Sequence, residues 1–294
     1  MSTWQVYDFF NPSPSSSSNA HRRALILLNQ PLCNMMYFET LWQNVSVRIC
    51  ADGGANRLYD TLGTDELRKR YLPDCICGDL DSLRPQVRQF YQSMNVEILH
   101  KPSQYATDFQ KCIDYLKENH ETSEKDMKDI LAFGTLSGRL DQTISGMSTL
   151  FHQHPLRKLY LGSNHSLATL IRPASTYVTA NQIVVDSDTP VNRIYSAKGF
   201  EGPCCGIGSL GSDARVISTG LKWNLDRSFV LNINKMWSSS NAFANDDTPH
   251  RHEWNKTIDS NSQPISSVKN DVEYMLVTID TDQPVLWTTE VDLA

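Results

Sequence analysis

Five short apolar runs recur through the first half of the chain, and stretches with helical spacing lie between most of them. The runs are Ala24–Leu28, Val45–Ala51, Asp74–Cys77, Val96–Leu99 and Asp129–Phe133. Short runs bounded by Gly, Pro, Asn or Asp are typical of buried strands, and strands that alternate with helices form parallel sheets. Ligands bind such sheets at the carboxyl ends of the strands. The first half of the chain is therefore predicted to be an α/β domain with its ligand site along that edge.

The second half has a different pattern, made of short β-branched runs broken by Gly, Pro, Asn and Asp. Such runs predict the antiparallel strands of a sandwich or barrel. The predicted strands are Thr176–Thr179, Ile183–Asp186, Val191–Ser196, Val216–Thr219, Phe229–Ile233 and Tyr274–Ile279, with a last one around Leu286–Thr288. We expect a Rossmann-like α/β domain with a parallel sheet, followed by an antiparallel β-sandwich, with the boundary at Arg172. A chain of 294 residues fits two domains at roughly 150 residues each.

Two segments lie outside both predicted cores. Residues 1–22 end in a run rich in Pro and Ser, and we expect them to be a flexible leader before the α/β domain at 23–172. Residues 245–270 have almost no aliphatic side chains, and we interpret them as a polar insertion within the β domain at 173–294. Neither segment has enough apolar area to offset the entropy lost when a chain becomes ordered.

The composition argues against several classes of protein. The chain has 27 Lys and Arg against 33 Asp and Glu, a formal net charge of −6, which is the opposite of a nucleic-acid-binding surface. The longest aliphatic run, Ala24–Leu28, is too short to cross a bilayer, and the amino-terminal residues do not resemble a signal peptide. Its 7 cysteines form no Cys-x-x-Cys pair, so neither a disulfide framework nor a zinc site is expected. We therefore expect a cytoplasmic protein that binds neither nucleic acid nor a membrane.

Two aspartates, Asp79 and Asp81, lie two residues apart directly after the third predicted strand. Magnesium prefers a few carboxylate oxygens together with waters and substrate phosphates, and such a pair can supply the oxygens. The alternative is that both carboxylates only accept hydrogen bonds from turn amides and from the helix that begins at Pro85.

Further aspartates follow other predicted strands, and this repetition favours a metal and phosphate site. Asp52 follows the second strand, Asp108 the fourth and Asp141 the fifth. Each of them could separately cap a helix. Carboxylates that converge on one edge of a sheet repel one another, however, and a cation would offset that repulsion.

Neighbouring residues fit a phosphate at the same edge. Gly53 and Gly54 permit a close approach of the backbone to a phosphate, although they do not form a familiar nucleotide-binding loop. Arg139 is a candidate bidentate phosphate ligand, and the alternative for it is a surface ion pair.

Taken together, the motifs resemble those of the thiamine pyrophosphokinase family. They are Ala51–Asp60, Pro73–Asp74 with Gly78–Ser82, Thr107–Cys112, Gly138–Gln142 and Thr219–Leu225, in that order along the chain. The resemblance covers about Ala24 to Trp287, apart from the polar insertion. It implies an α/β domain, a β-sandwich domain and a homodimer with composite active sites. It also implies transfer of the diphosphoryl group of ATP to the hydroxyethyl oxygen of thiamine, which gives thiamine diphosphate and AMP.

The resemblance further implies roles for individual residues. The implied magnesium ligands are Asp79, Asp81 and Asp108. The implied catalytic residues are these three with Arg139 and Asp141, and either Asp108 or Asp141 would accept the proton of the thiamine hydroxyl. The implied ATP-binding residues are Asp52, Gly53, Gly54, Thr107 and Arg139. The implied thiamine-binding residues are Gln104, Trp223, Ser238, Ser240 and Asn241.

The chain departs from the family at Ser103 and Tyr105, where acidic residues are frequent on either side of the glutamine. This departure leaves the number of magnesium ions open. Two other interpretations are a phosphatase of the haloacid dehalogenase type, in which Asp79 would be a covalent nucleophile, and a binding protein without catalytic activity.

Overall fold

The computed structural model describes residues 3–11, 20–121, 123, 126–153, 156–174, 176–179, 182–185, 191–244 and 272–294. The chain divides into two compact units. One unit contains Asp8–His165 with Leu293–Ala294, and the other contains Met1–Tyr7 with Ser166–Asp292. The predicted polar insertion at 245–270 lies outside the described residues.

The amino-terminal residues differ from the flexible leader that the sequence predicts. Strand β1 (Thr3–Trp4) pairs in parallel with a strand of the second unit and places Trp4 opposite Ile194. A 3-10 turn follows at Val6–Phe9, and the aromatic rings of Phe9 and Phe10 are buried. These aromatic side chains supply the apolar area that offsets the entropy of ordering, whereas the serine-rich part, residues 12–19, lies outside the described residues.

The α/β unit has six parallel strands. They are β2 (Arg23–Leu27), β3 (Val47–Ala51), β4 (Cys75–Gly78), β5 (Glu97–His100), β6 (Asp129–Phe133) and β7 (Leu159–Gly162). Their order across the sheet is β7-β6-β2-β3-β4-β5, and every pairing among them is parallel. All five predicted strands of this half are present, and β7 joins them. β2 lies inside the sheet between β6 and β3, and all five of its residues are buried, as expected for a central strand of a parallel sheet.

Six helices belong to the same unit in the described part of the chain. They are α1 (Met35–Gln43), α2 (Gly54–Leu62), α3 (Asp65–Arg70), α4 (Pro85–Ser93), α5 (Asp108–His120) and α6 (Leu140–Gln153). Pro85 occupies the first turn of α4, where its missing N–H costs nothing. Thr107 caps α5 because its Oγ1 accepts a hydrogen bond from the Gln110 N–H at 3.3 Å. None of the described helices has the length and apolar character to cross a membrane.

The second unit is built from antiparallel strands. They are β8 (Ser166–Ile171), β9 (Thr176–Thr179), β10 (Gln182–Val185), β11 (Asn192–Ala197), β12 (Glu201–Gly208), β13 (Val216–Thr219), β14 (Ser238–Ala242), β15 (Tyr274–Thr281) and β16 (Val285–Val291). One set has the order β1-β11-β15-β13, a second has β14-β12-β16-β8, and β9 pairs with β10. A mostly parallel sheet with helices and a second, antiparallel unit are thus confirmed.

Two details of the second unit differ from the sequence prediction. The units divide between His165 and Ser166, before the predicted boundary at Arg172, because β8 pairs with β16. The segment Phe229–Ile233 is not a strand, and its β-type pairing consists of isolated bridges at Leu231. The Asn232 side chain donates instead to the Gly211 carbonyl at 3.1 Å and to Asp213 at 3.0 Å, which holds the segment as a loop.

A buried carboxyl group lies in β12. The side chain of Glu201 accepts hydrogen bonds from the Ala197 N–H at 3.2 Å, the Ser196 hydroxyl at 3.2 Å and the Thr289 hydroxyl at 3.4 Å. Burial raises the pKa of Glu201 to about 7, and these hydrogen bonds oppose the shift. The folded state therefore binds this proton more tightly than the unfolded chain does.

Replacing Glu201 with Gln should remove a pH-dependent component of stability. The proton on Glu201 stabilises the fold fully below the ordinary pKa of 4.5, and this stabilisation is lost as the pH rises through about 7. The loss should approach about 3 kcal/mol and should be absent in Glu201→Gln. Urea unfolding from about pH 5 to about pH 8 measures it. Glu273→Gln, at an exposed site, should follow the wild type, and parallel curves for wild type and Glu201→Gln would contradict the assignment.

Candidate functional site

Three aspartates meet at the carboxyl edge of the parallel sheet. Asp52 follows β3, Asp79 follows β4, and Asp108 is the first residue of α5. One carboxylate oxygen of each lies within 4.8 Å of the others. The sequence predicts such a convergence, and the structure brings together Asp52, Asp79 and Asp108, which we call the acidic triad.

The backbone places the triad at close range. Asp52 has a φ of 42°, and its N–H donates to the Cys77 carbonyl at 3.0 Å, so the turn after β3 is tied to the end of β4. The Asp79 N–H donates to Asp108 Oδ1 at 3.2 Å, which joins β4 to α5. Gly78 lies between them, and a Cβ atom there would be 2.8 Å from Asp52 Cβ and 3.0 Å from Asp108 Oδ1. Only glycine leaves room for this approach.

Asp52 is the most buried member of the triad, with 3% of its surface exposed. Its Oδ2 accepts a hydrogen bond from the Ser82 N–H at 3.1 Å, but its Oδ1 has no hydrogen-bond partner among the residues that the structure describes. Burial raises the pKa of Asp52 to about 6, the negative charges of Asp108 and Asp81 add to the rise, and the Ser82 N–H opposes it. A buried carboxylate oxygen without a donor is costly, and a cation would satisfy it.

A buried lysine, Lys111, contacts the other two members of the triad. Its Nζ lies 2.9 Å from Asp108 Oδ1 and 3.8 Å from Asp79 Oδ2. Burial alone would lower the pKa of Lys111. The hydrogen bond with Asp108 and the charge of Asp79 raise it by more than burial lowers it, so the pKa of Lys111 lies above its ordinary value. At Asp79, burial raises the pKa, and the Asp81 N–H, the Gln104 amide and Lys111 lower it below its ordinary value.

Two predicted acidic residues lie outside the triad. Asp81 is exposed, and its Oδ1 accepts a hydrogen bond from the Ser82 hydroxyl at 2.9 Å. Asp141 is exposed at the start of α6, where its carboxylate forms a bidentate ion pair with Arg139 at 3.1 Å and 2.5 Å. This hydrogen bonding with Arg139 lowers the pKa of Asp141 and raises that of Arg139.

A cavity of about 470 Å³ opens over the triad. Its lining includes the three triad residues with Asp81, Gly53, Gln104, Thr107 and Arg139, and also Asn29, Gln30, Thr135, Ser137, Gln142 and Ser145. Gln104 is exposed, and its Nε2 donates to Asp79 Oδ2 at 3.2 Å. Gly54 has a packing role, since a Cβ atom there would be 2.2 Å from the Leu27 carbonyl oxygen of β2.

The remaining predicted residues form a cluster in the second unit. Trp223 is 56% exposed, and Lys222 Nζ lies 5.0 Å from its ring centroid. The buried Asn241 side chain holds the Trp223 backbone, since it accepts from its N–H at 3.3 Å and donates to its carbonyl at 2.9 Å. Ser238 accepts from Asn241 Nδ2 at 3.2 Å, whereas Ser240 is exposed with a φ of 61°. Asn241 therefore positions the Trp223 turn.

Sequence reasoning missed Lys111 and the polar side chains Asn29 and Gln30 at the end of β2. The signal for Lys111 was its place three residues after Asp108 on the same helix, where side chains face one another. Asn29 and Gln30 follow the first apolar run, and only the sheet order, with β2 at the centre, places them beside Asp52.

Family comparisons agree with this geometry. The family model described as thiamin pyrophosphokinase, catalytic domain, matches residues 38–161, and that described as thiamin pyrophosphokinase, vitamin B1 binding domain, matches residues 191–250. Thiamine pyrophosphokinase 3 of Oryza sativa is 34% identical over 234 residues, which cover 76% of this chain and 80% of that protein. The chain belongs to the thiamine pyrophosphokinase family.

Other members of the thiamine pyrophosphokinase family are similar along most of their length. Thiamine pyrophosphokinase of Saccharomyces cerevisiae is 31% identical over 278 residues, which cover 79% of this chain and 82% of the yeast protein. The crystal structure of yeast thiamin pyrophosphokinase aligns with a TM-score of 0.74 at 23% identity, over 99% of this chain and 92% of that one. The structural similarity supports the fold.

Replacing Gly78 with Ala should separate the acidic triad. The new methyl group would press on Asp52 and Asp108, and overpacking of this kind costs about 1–3 kcal/mol. We expect urea unfolding to show that loss. Gly211→Ala, where a Cβ atom meets nothing within 4 Å, is the matched control and should unfold like the wild type. Equal unfolding free energies for Gly78→Ala and the wild type would refute this account of the glycine.

Proposed function

We propose that this chain transfers the diphosphoryl group of ATP to the hydroxyethyl oxygen of thiamine, giving thiamine diphosphate and AMP, with Mg²⁺ as the metal ion. The observation that carries the proposal is the acidic triad beside a cavity of about 470 Å³, in a chain of the thiamine pyrophosphokinase family. A cavity of this volume is within the range that holds small-molecule ligands.

The donors of the triad fit a magnesium ion. All three are carboxylates, the ligand type that Mg²⁺ prefers, and Asp52 offers a buried oxygen without a hydrogen-bond partner. We propose that Asp52, Asp79 and Asp108 would hold the ion. Asp81, which the sequence also predicts as a ligand, has an exposed carboxylate outside the triad but lines the same cavity, and it stays a predicted ligand. When bound, Mg²⁺ supplies charge neutralisation for phosphate oxygens.

The chain's own groups have separate tasks in the proposed reaction. The Arg139 guanidinium lines the cavity and would bind phosphate oxygens, and Asp141 orients it through the bidentate ion pair. Gly53 and Thr107 would complete the phosphate site. Asp108 and Asp141 are the two proposed acceptors of the hydroxyl proton, and the hydrogen bonding with Arg139 lowers the pKa of Asp141.

Thiamine binding is assigned by resemblance to residues of both units. Gln104 would face the pyrimidine ring, and Trp223 would cover a ring or the thiazolium cation. Asn241, with Ser238 and Ser240, would support that side of the pocket. The proposal includes a homodimer with composite active sites, a cytoplasmic location, a Rossmann-like class for the α/β unit and a sandwich for the second.

A single incubation tests the reaction. The purified chain, given thiamine, ATP and MgCl₂, should release AMP and thiamine diphosphate in equal amounts. Asp79→Asn should lower turnover at least ~100-fold, because alignment and charge neutralisation supply most of the catalysis of phosphoryl transfer. Asp114→Asn, on the same helix as Asp108 and hydrogen-bonded to Gln110, should turn over like the wild type.

The products separate the alternatives. Free phosphate released without AMP would support a phosphatase of the haloacid dehalogenase type. Tight binding of thiamine and ATP without turnover would support a binding protein. Either result would overturn the proposed transfer. Unchanged turnover in Asp79→Asn would instead overturn the role of Asp79 in it.

Trp223→Ala should weaken thiamine binding selectively. A contact between an aromatic ring and a cation contributes about 0.5–2 kcal/mol, so the KM for thiamine should rise roughly 2- to 30-fold while the KM for ATP stays constant. Steady-state kinetics with each substrate varied in turn measures this. Phe229→Ala, at another exposed aromatic residue of the same unit, is the control and should leave both constants unchanged. A thiamine KM that does not move would remove Trp223 from the pocket.

A further inference from the structure

Lys111 is a buried cation that has no role in the proposed reaction. It lies on α5, three residues after Asp108, and 3% of its surface is exposed. An ammonium group withdrawn from water is costly unless anions and hydrogen bonds compensate it. In the described part of the chain, the ion pairs of Lys111 are with Asp108 and Asp79, two members of the acidic triad. The triad is thus what makes burial of this lysine tolerable.

The contacts of Lys111 are selective among the carboxylate oxygens. Both hydrogen bonds that described residues donate to Asp108, from Lys111 Nζ and from the Asp79 N–H, go to Oδ1. Asp108 Oδ2 accepts none from the described residues, and Asp52 Oδ1 is likewise without a donor. One oxygen of Asp108 is therefore used to fix the side chain, and the other stays available.

The charges are also matched. Within the group formed by the acidic triad and Lys111, three negative charges and one positive charge leave a net charge of two negative. A single divalent cation neutralises that net charge. The ion pair between Arg68 and Asp65 on α3 has the same three-residue spacing as the pair between Lys111 and Asp108. It is much more exposed to water, since 62% of the Asp65 side chain is exposed. Exposed pairs of that kind contribute little to stability.

We propose that Lys111 is a positioning residue that acts as a fixed internal cation: through its contacts with Asp79 and Asp108 it stabilises the metal-free acidic triad by offsetting one of its three negative charges. The inference rests on the proposed function only in taking the triad as a divalent-cation site. Lys111 acts through the two carboxylates and has no assigned contact with substrate.

The proposal predicts opposite effects with and without metal. Removing the charge leaves three carboxylates in repulsion, so the metal-free protein should be less stable, and the same excess negative charge should attract Mg²⁺ more strongly. A merely structural role for Lys111 would lower stability equally in both conditions.

The experiment compares thermal unfolding in EDTA and in a MgCl₂ series for the wild type, Lys111→Met, Lys111→Arg and Lys101→Met. In Lys111→Met we expect a lower Tm in EDTA, a larger rise in Tm on adding MgCl₂, and a roughly tenfold lower half-saturating concentration of Mg²⁺. Lys111→Arg keeps the charge and should show the wild-type rise. Lys101→Met breaks a pair with Glu118, outside the triad, and should also show the wild-type rise.

The other outcomes overturn either the role of Lys111 or the metal site itself. An equal or smaller rise in Lys111→Met than in the wild type overturns the role of Lys111 and leaves the metal site intact. No rise in the wild type overturns both the metal site and the inference. If Lys111→Met is unfolded in EDTA, the proposal requires MgCl₂ to restore its cooperative unfolding transition, and a variant that stays unfolded at high MgCl₂ overturns it.

Discussion

Repulsion among three carboxylates is the constraint around which the α/β unit is arranged. Oxygens of Asp52, Asp79 and Asp108 lie within 4.8 Å of one another at the edge of the sheet, where burial strengthens every electrostatic interaction. The fold holds them there by backbone means: an N–H from the neighbouring loop on two of the carboxylates, and a glycine where any Cβ atom would push them apart. The parallel order of β3 and β4 gives the triad its location, because it brings two successive loops side by side.

The sequence predicted the α/β half well because its signals are local. Each central strand is a short apolar run, as burial on both faces requires, and β3, β4 and β6 end at or just before Gly or Asp. The prediction failed where structure depends on partners far along the chain. β12 contains Gly, Pro and two Cys, and β14 is mostly Ser, yet both are strands because they pair with each other and β12 also pairs with β16.

The candidate site shows the same division between local and distant information. That Asp79 and Asp108 would meet was expected because both follow strands of a parallel sheet, whose carboxyl ends lie at one edge. The close approach of Asp52 to Asp79 and Asp108 could not be predicted, since it depends on a φ of 42° at Asp52 and on the space that Gly78 leaves. In the second unit, resemblance selected Asn241 as a ligand-binding residue, and the structure gives its amide another task, the support of the Trp223 backbone.

The pairing of β1 with β11 has a consequence for how the chain is made. Thr3 and Trp4 are synthesised before their partners Arg193 and Ile194, and residues Asp8–His165 lie between them in the chain. β1 can therefore pair with β11 only after the polypeptide between them has been made. Pairing of β1 is thus a long-range step, and the second unit closes around a segment that the chain supplies from before the α/β unit.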